Sequence, residues 1–190
     1  MTIYIALLRG INVGGHHKIK MADLKTLLEG LGLSRVQTYI QSGNVLFESP
    51  KSKTELKELF ENGIREAFGY SISVIFRTGE EMEDIIRSCP FSEAMIQEAD
   101  EVSAFVSFYV GMLPDAPSQE EVDKLVAAAN EEETIRCIGS NIYLLLKKSA
   151  RDSKLTNQLQ KLSVPVTMRN WKTTNKLAQL AAEMDVRSLR

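Results

Sequence analysis

Cysteine and histidine are scarce in this sequence, with two of each among 190 residues. Cys89 and Cys137 lie far apart and have no histidine or cysteine at metal-ligand spacing, so neither a disulfide framework nor a structural zinc site is expected. The side chains of adjacent residues point apart in most backbones, which predicts that His16 and His17 are exposed loop residues and not a metal pair. The sequence therefore predicts no bound metal and no cofactor.

Long hydrophobic runs are absent as well. No apolar run approaches the roughly 20 residues of a membrane span, and the N-terminus lacks the basic, apolar and small-residue order of a secretory signal. The sequence predicts a cytoplasmic protein without a membrane partner. Its length is sufficient for one domain or two small ones, each with a hydrophobic core.

The two common glycine-rich nucleotide motifs are also missing. Residues 3–8 form an apolar run that leads into Arg9–Gly10–Ile11–Asn12–Val13–Gly14–Gly15, which matches neither the dinucleotide-binding spacing nor a P-loop. An amphipathic segment follows, which predicts the order strand, loop, helix. Glycine permits positive φ and close approach of backbone N–H groups, and a helix start adds partial positive charge, so this junction suits an anion. In the alternative interpretation the glycines only turn the chain and Arg9 pairs with a carboxylate.

Hydrophobic periodicity predicts a series of elements in the first half of the chain. A helix with an apolar face precedes a hairpin with strands at residues 36–40 and 45–47 and the turn Ser42–Gly43–Asn44. Ser52 and Glu55 form a capping box for a second helix, an alternating strand covers residues 72–76, and a short acidic helix follows. The order is β-α-β-β-α-β with an extra helix.

The second half repeats this order. A long alternating strand is predicted through Val102, Ala104, Val106, Phe108 and Val110. A helix capped by Ser118 and Glu121, a hairpin, a helix, a strand at residues 164–168 and a terminal helix come next. A shift of 97 residues lays the first hairpin turn on the second.

These elements predict an α+β fold, built by internal duplication from two ferredoxin-like halves with antiparallel or mixed sheets and extra helices. The expected domains are residues 1–98, with the glycine-rich loop, and residues 99–190, with the terminal helix. In such a half the first and second strands run parallel, so the loops that follow them emerge at one end of the sheet. The glycine-rich loop should therefore meet Gln41 and the turn residues Ser42, Gly43 and Asn44.

Charge is distributed unevenly along the chain, although the net charge is only −2. Residues 79–133 carry fifteen acids against two bases, whereas residues 147–190 carry ten bases against three acids. The basic C-terminal part keeps an RNA-binding module open as an alternative function. The isoelectric point is near 5.8 and the sheets lack a pair of exposed aromatic residues. Both features favour a small ligand over nucleic acid as the binding partner.

The motif residues resemble bacterial proteins grouped as domain-of-unknown-function family 1697. The resemblance rests on the Arg9–Gly15 run, the Ser42–Gly43–Asn44 turn, and the C-terminal Arg169–Asn170–Trp171 block. It implies a two-part α+β fold with ferredoxin-like halves and brings no established activity. It also implies one shared surface that contains Arg9, Asn12, Gly14, Gly15, Ser42, Gly43, Asn44, Lys154, Arg169, Asn170 and Trp171. The converging loops add Gly10 and Gln41 to these candidate ligand-binding residues. Because residues 114–117 of the second half replace the glycine loop with a proline-rich segment, one site is expected and not two.

The candidate residues favour binding over any specific reaction. Arginine, lysine, amide side chains and backbone N–H groups are the donors that bind phosphate or carboxylate, and no nucleophile with a partnered base stands among them. We predict a small anionic ligand at the glycine-rich loop. An RNA-binding module and a non-enzymatic interaction protein are the alternatives, and the sequence decides neither whether the chain is an enzyme nor its oligomeric state.

Overall fold

Eight strands and seven helices occur in the residues that the computed structural model describes, namely 1–103, 106–147 and 153–188. The strands are β1 Thr2–Leu8, β2 Ser34–Tyr39, β3 Asn44–Ser49, β4 Val74–Thr78, β5 Phe108–Met112, β6 Glu133–Ile138, β7 Asn141–Leu146 and β8 Thr167–Asn170. The helices are α1 Met21–Gly30, α2 Lys53–Phe68, α3 Gly79–Arg87, α4 Glu93–Val102, α5 Gln119–Ala128, α6 Lys154–Leu159 and α7 Trp171–Ser188. None of these helices is long and apolar enough to cross a membrane.

The chain divides into two compact units. Unit 1 comprises Met1–Asp84 and Asn175–Arg190, and unit 2 comprises Ile85–Thr174. Each unit contains one four-stranded antiparallel sheet, which confirms the predicted α+β class. The division of the chain into domains at residues 98 and 99 stays a prediction.

The sheet of unit 1 has the strand order β2-β3-β1-β4. Strand β1 is antiparallel to both β3 and β4, and β3 is antiparallel to β2, so β1 and β2 run in the same direction. The register places Leu7 opposite Asn44, the first residue of β3. The ends of β1 and β2 therefore lie at one end of the sheet, as the predicted topology requires.

The core of unit 1 fills the space between this sheet and helices α1 and α2. Phe47 on β3, Phe60 on α2 and Phe76 on β4 are buried, and the rings of Phe60 and Phe76 meet edge to face at 5.1 Å between centroids. Burying each such side chain contributes roughly 1.5–3 kcal/mol. Both ends of α2 follow the sequence signals: Ser52 and Glu55 form the capping box, and Gly69 ends the helix in the left-handed region at φ 76°.

The sheet of unit 2 has the equivalent order, β6-β7-β5-β8. Its register also repeats that of unit 1, because Met112 at the end of β5 lies opposite Asn141, the first residue of β7. The backbone bond beyond this pair recurs too: Leu113 N donates to Ser140 O over 2.9 Å, and in unit 1 Leu8 N donates to Gly43 O over the same distance. The predicted alignment of the two hairpin turns thus corresponds to a repeated local geometry.

The long strand predicted from Val102 onward is wrong at its start. Val102 is the last residue of α4 and is exposed, Val106 lies outside any strand, and β5 begins at Phe108. Ala104 lies outside the described residues. Helix α4 was not predicted, and its N-cap is Ser92, whose side chain accepts a hydrogen bond from Met95 N.

The strand expected at residues 164–168 begins later than predicted. Pro165 has no N–H to donate to a neighbouring strand, and β8 starts after it, at Thr167. The strand expected at residues 72–76 likewise begins at Val74. Helix α7 starts at Trp171, so the C-terminal motif lies at a strand-to-helix junction.

Candidate functional site

The loop after β1 and the hairpin turn after β2 meet at one end of the sheet of unit 1. Asn12 Nδ2 donates a hydrogen bond of 2.8 Å to Gln41 O, and Leu8 N donates one of 2.9 Å to Gly43 O. The structure thus brings together the two loops that carry the predicted residues, the one that begins at Arg9 and the one that ends at Asn44. We call residues 9–20 the glycine loop and residues 40–43 the hairpin loop.

Left-handed backbone conformations concentrate in the glycine loop. Side chains rarely adopt positive φ because Cβ crowds the following carbonyl, which explains why glycine and asparagine occupy most of these positions. The residues with positive φ are Gly10 at 67°, Asn12 at 54°, Gly14 at 58°, Gly15 at 80° and His17 at 45°. The three glycines are exposed, and within the described residues their N–H groups donate to no protein acceptor.

The side chain of Asn12 holds the glycine loop in shape. Its Nδ2 donates to Ile19 O over 2.9 Å in addition to Gln41 O, and its Oδ1 accepts from Ile19 N over 2.9 Å. His17 adds a second anchor, because its Nδ1 lies 3.2 Å from Gly10 O and its ring meets Tyr70 edge-on at 5.1 Å between centroids. Asn12 therefore contributes to the candidate site by fixing the loop.

The hairpin turn is packed closely against the end of β1. Gly43 is buried at φ 82°, and a Cβ built on it would lie 2.8 Å from both Leu8 Cβ and Ile11 Cδ1. Asn44 is fully buried and donates to Tyr39 O over 3.0 Å and to Ser42 Oγ over 2.9 Å. Ser42 is half-buried and Gln41 is exposed, so these two side chains form the outer side of the turn.

The charge around the glycine loop is positive. Residues 9–22 contain no aspartate or glutamate, and Arg9, Lys18 and Lys20 are exposed. The backbone N–H of Arg9 donates to Ser73 O over 3.0 Å, but no described residue forms a hydrogen bond or an ion pair with the Arg9 guanidinium. The alternative in which Arg9 pairs with a carboxylate therefore finds no such partner among the described residues.

Helix α1 begins directly after this loop. Its N-cap residue, Lys20, makes no side-chain hydrogen bond to the first turn, and Asp23 supplies the only acid there. The first N–H groups of a helix have no partner within the helix and carry partial positive charge. Exposed cations, unused glycine N–H groups and this helix start thus lie in one short segment.

The C-terminal candidates lie in unit 2 and have mostly internal contacts. Arg169 is buried on β8, donates from Nη1 to Met168 O over 2.9 Å, and has its pKa lowered to about 10 by burial. Asn170 caps α7, because its Oδ1 accepts from Thr173 N over 2.7 Å. Lys154 is exposed at the start of α6. Asn170 thus has the role of a helix N-cap.

Trp171 is half-buried. Its ring stacks on Phe108 with 4.4 Å between centroids and an interplanar angle of 19°. The indole also lines an open surface cavity of about 490 Å³ beside α4. Three carboxylates, those of Glu93, Asp100 and Glu101, line this cavity with the indole. This part of unit 2 is acidic, in contrast to the glycine loop.

Residues 1–143 match the family described as "Protein of unknown function (DUF1697)". The chain belongs to the DUF1697 family. The matched range includes the glycine loop and the hairpin turn and ends before the Arg169 block.

A solved structure is similar to this DUF1697 protein over nearly its whole length. It is that of the conserved bacterial protein SP0830 from Streptococcus pneumoniae, with 26% sequence identity and a TM-score of 0.68. The comparison covers 95% of this chain and 98% of that one. No curated protein matches the sequence. The family description names no activity, so the function of this DUF1697 protein has to be argued from its site.

Four residues of this surface were not among the predicted binding residues of the DUF1697 protein. Lys18 and Lys20 are exposed in the same loop as Arg9, and the absence of acids in residues 9–22 was a signal that could have added them. Val13 and Ile40 are exposed aliphatic residues in the two loops. Ile40 gave no such signal, because it continues the apolar alternation of β2 and was predicted as a strand residue.

Proposed function

We propose that this DUF1697 protein binds a small anionic ligand, bearing a phosphate or a carboxylate group, at the glycine loop. The observation that carries the proposal is the exposed guanidinium of Arg9, which has no described partner, next to a loop of exposed N–H groups without an acidic residue. Charge-assisted hydrogen bonds from such donors are shorter and about twice as strong as neutral ones. The planar guanidinium also matches the two oxygens of a carboxylate or phosphate.

The contributions of the loop residues differ. Arg9 and the N–H groups of Gly10, Gly14 and Gly15 are the proposed direct donors, with Gln41 and Ser42 at the edge. Asn12, Gly43 and Asn44 are proposed to fix the loop and the turn, because their polar groups or their lack of a Cβ are used internally. Lys154, Arg169, Asn170 and Trp171 stay predicted ligand residues from the family resemblance alone.

A thermal-shift screen followed by calorimetry tests this proposal. The probes are inorganic phosphate, acetate and citrate, on wild type, Arg9→Ala and the matched control Lys57→Ala, which removes an exposed cation from α2 of the same unit. We expect Arg9→Ala to lose about 1.5–3 kcal/mol of binding free energy to the anion that binds best, because hydrogen bonds to charged groups contribute about that much. Lys57→Ala should bind as wild type does.

The melting temperature without ligand separates binding from folding. Arg9 has one backbone bond and no described side-chain bond, so Arg9→Ala should melt at the wild-type temperature. A variant that melts several degrees lower, in a protein that binds none of the three anions, would show that Arg9 supports the fold and that the loop is only a turn.

A further inference from the structure

Two aliphatic side chains stand exposed where the glycine loop and the hairpin loop join. Val13 is 63% exposed and Ile40 is 48% exposed. Val13 follows Asn12 and Ile40 precedes Gln41, and the Asn12–Gln41 hydrogen bond joins the two loops. Each aliphatic residue is thus the sequence neighbour of a residue whose hydrogen bond links the two loops.

The backbone of Ile40 is unfavourable for its residue type. Its φ is 50°, in the left-handed region, where a β-branched side chain is a true outlier. Asparagine or glycine would fit this φ without the steric penalty and would expose no apolar surface. Ile40 belongs to neither hydrophobic core, so packing inside the protein does not account for it.

The hairpin loop is also longer in unit 1 than in unit 2. Residues 40–43 connect β2 to β3, whereas only Gly139 and Ser140 connect β6 to β7. The strand pairs next to the two loops are equivalent, Tyr39 with Asn44 and Ile138 with Asn141, so unit 1 has two extra residues at this end of its sheet. Ile40 lies in this longer loop, beside the cationic glycine loop that unit 2 lacks.

We infer that the ligand joins its anionic group to an apolar organic part, with the anion at Arg9 and the glycine N–H groups and the apolar part against Val13 and Ile40. This inference rests on the proposed function and specifies its ligand class. The ligand class is a soluble organic phosphate or carboxylate. Two aliphatic side chains are enough to cover a small organic group, but on a protein of net charge −2 they provide little binding to a bilayer.

Calorimetry with matched probes tests the inference. Inorganic phosphate presents the anion alone, phenol the apolar ring alone, and phenyl phosphate both. We expect phenyl phosphate to bind about tenfold more tightly than inorganic phosphate, because a benzene ring on two aliphatic side chains removes several tens of Å² of apolar surface from water. Phenol should not bind measurably.

Two variants locate the apolar contact. Val13→Thr keeps the shape and adds a hydroxyl, and Ile40→Asn suits the left-handed backbone, so both should fold and Ile40→Asn should melt above wild type. Each is expected to lose most of the tenfold preference while its affinity for inorganic phosphate stays unchanged. Val126→Thr, at a 54% exposed valine of α5, is the matched control and should keep the preference.

The outcomes separate the two proposals. Equal affinity for inorganic phosphate and phenyl phosphate overturns the inference and leaves the proposed function standing. Failure of both phosphates to bind overturns the proposed function, and the inference with it. Co-sedimentation with anionic phosphatidylglycerol vesicles, lost in Val13→Thr, together with no preference for phenyl phosphate, would assign the surface to a membrane instead.

Discussion

Asn12 satisfies two structural demands in the glycine loop. Its φ of 54° requires a residue that tolerates the left-handed region, and its amide must supply two donors and one acceptor to backbone groups of different segments. Asparagine meets both demands, because it populates this region more than other side chains and carries a donor and an acceptor. Glycine would meet only the first.

Replacing Asn12 with alanine should therefore loosen the loop. Three hydrogen bonds are lost, and we expect a loss of about 1–3 kcal/mol in the free energy of unfolding. Hydrogen exchange offers the sharper measurement: the N–H of Ile19, which donates to Asn12 Oδ1, should exchange faster in Asn12→Ala. The N–H of Arg9, bonded to Ser73 O, is the internal control and should keep its protection. Unchanged exchange at Ile19 would contradict the role assigned to Asn12.

Sequence patterns predicted these residues as a group better than they predicted their individual roles. Arg9, Asn12 and Gly43 were all expected near one ligand because the topology brings their loops together. The direction of each side chain could not be predicted, since the Asn12 contacts to residues 19 and 41 depend on the folded loop. Arg169 was read as part of a binding surface, and its burial on β8 depends on tertiary packing that no local pattern encodes.

At the level of elements, the first hairpin depends on the absence of a side chain at Gly43. The turn lies against Leu8 and Ile11, so β1, the glycine loop and the hairpin loop are in contact at this one point. Gly69 provides a comparison, because it has a similar φ of 76° but no atom within 4 Å of the position of a Cβ. Alanine at Gly69 would meet only the energetic cost of a left-handed backbone, whereas alanine at Gly43 would also meet the cost of steric crowding.

Gly43→Ala is expected to destabilise unit 1 by about 2–5 kcal/mol, combining roughly 1–2 kcal/mol for a left-handed alanine with roughly 1–3 kcal/mol for overpacking. Gly69→Ala should cost only the conformational part. Urea titrations of the two variants and wild type measure the difference. Equal midpoints for the two variants would show that Leu8 and Ile11 move aside without cost.

Local signals predicted most elements, and their failures have local causes. The capping boxes at Ser52 and Ser118 and the turn at Gly43 are short-range features, and the structure contains all three. Helix α4 was missed because Ser92 is followed by Met95 where a capping box would have glutamate or glutamine. The apolar alternation that starts at Val102 was therefore interpreted as one long strand, although Val102 ends α4 and β5 begins only at Phe108.

At the level of the whole molecule, the strand order of the two sheets repeats, and so does the register of their central strand pairs, β1 with β3 and β5 with β7. Arg77 on β4 and Arg169 on β8 extend this correspondence, because each donates from Nη1 to the carbonyl of the residue before it. Burial lowers the pKa of both guanidinium groups. We propose internal duplication as the origin of this repeat; the glycine loop and the longer hairpin loop then mark where the halves diverged.

The overall charge predicts weak binding to RNA. The net charge is −2 and the exposed cations of the glycine loop are few, so few counterions are available for release. Filter binding of a single-stranded RNA should show little retention at low salt and none at physiological salt. Retention that persists at physiological salt and depends on the RNA sequence would instead favour the nucleic-acid alternative over a small ligand.

Trp171 is the only tryptophan in the chain, and it lies in unit 2 against the ring of Phe108. Its fluorescence therefore reports loss of the Trp171–Phe108 contact in unit 2, whereas far-ultraviolet circular dichroism reports the strands and helices of both units. A denaturant titration recorded with both signals distinguishes one cooperative transition from two. Quenching of the emission gives a second measurement, because the carboxylates around the indole repel iodide and attract caesium. Caesium should therefore quench the emission more efficiently than iodide until unit 2 unfolds.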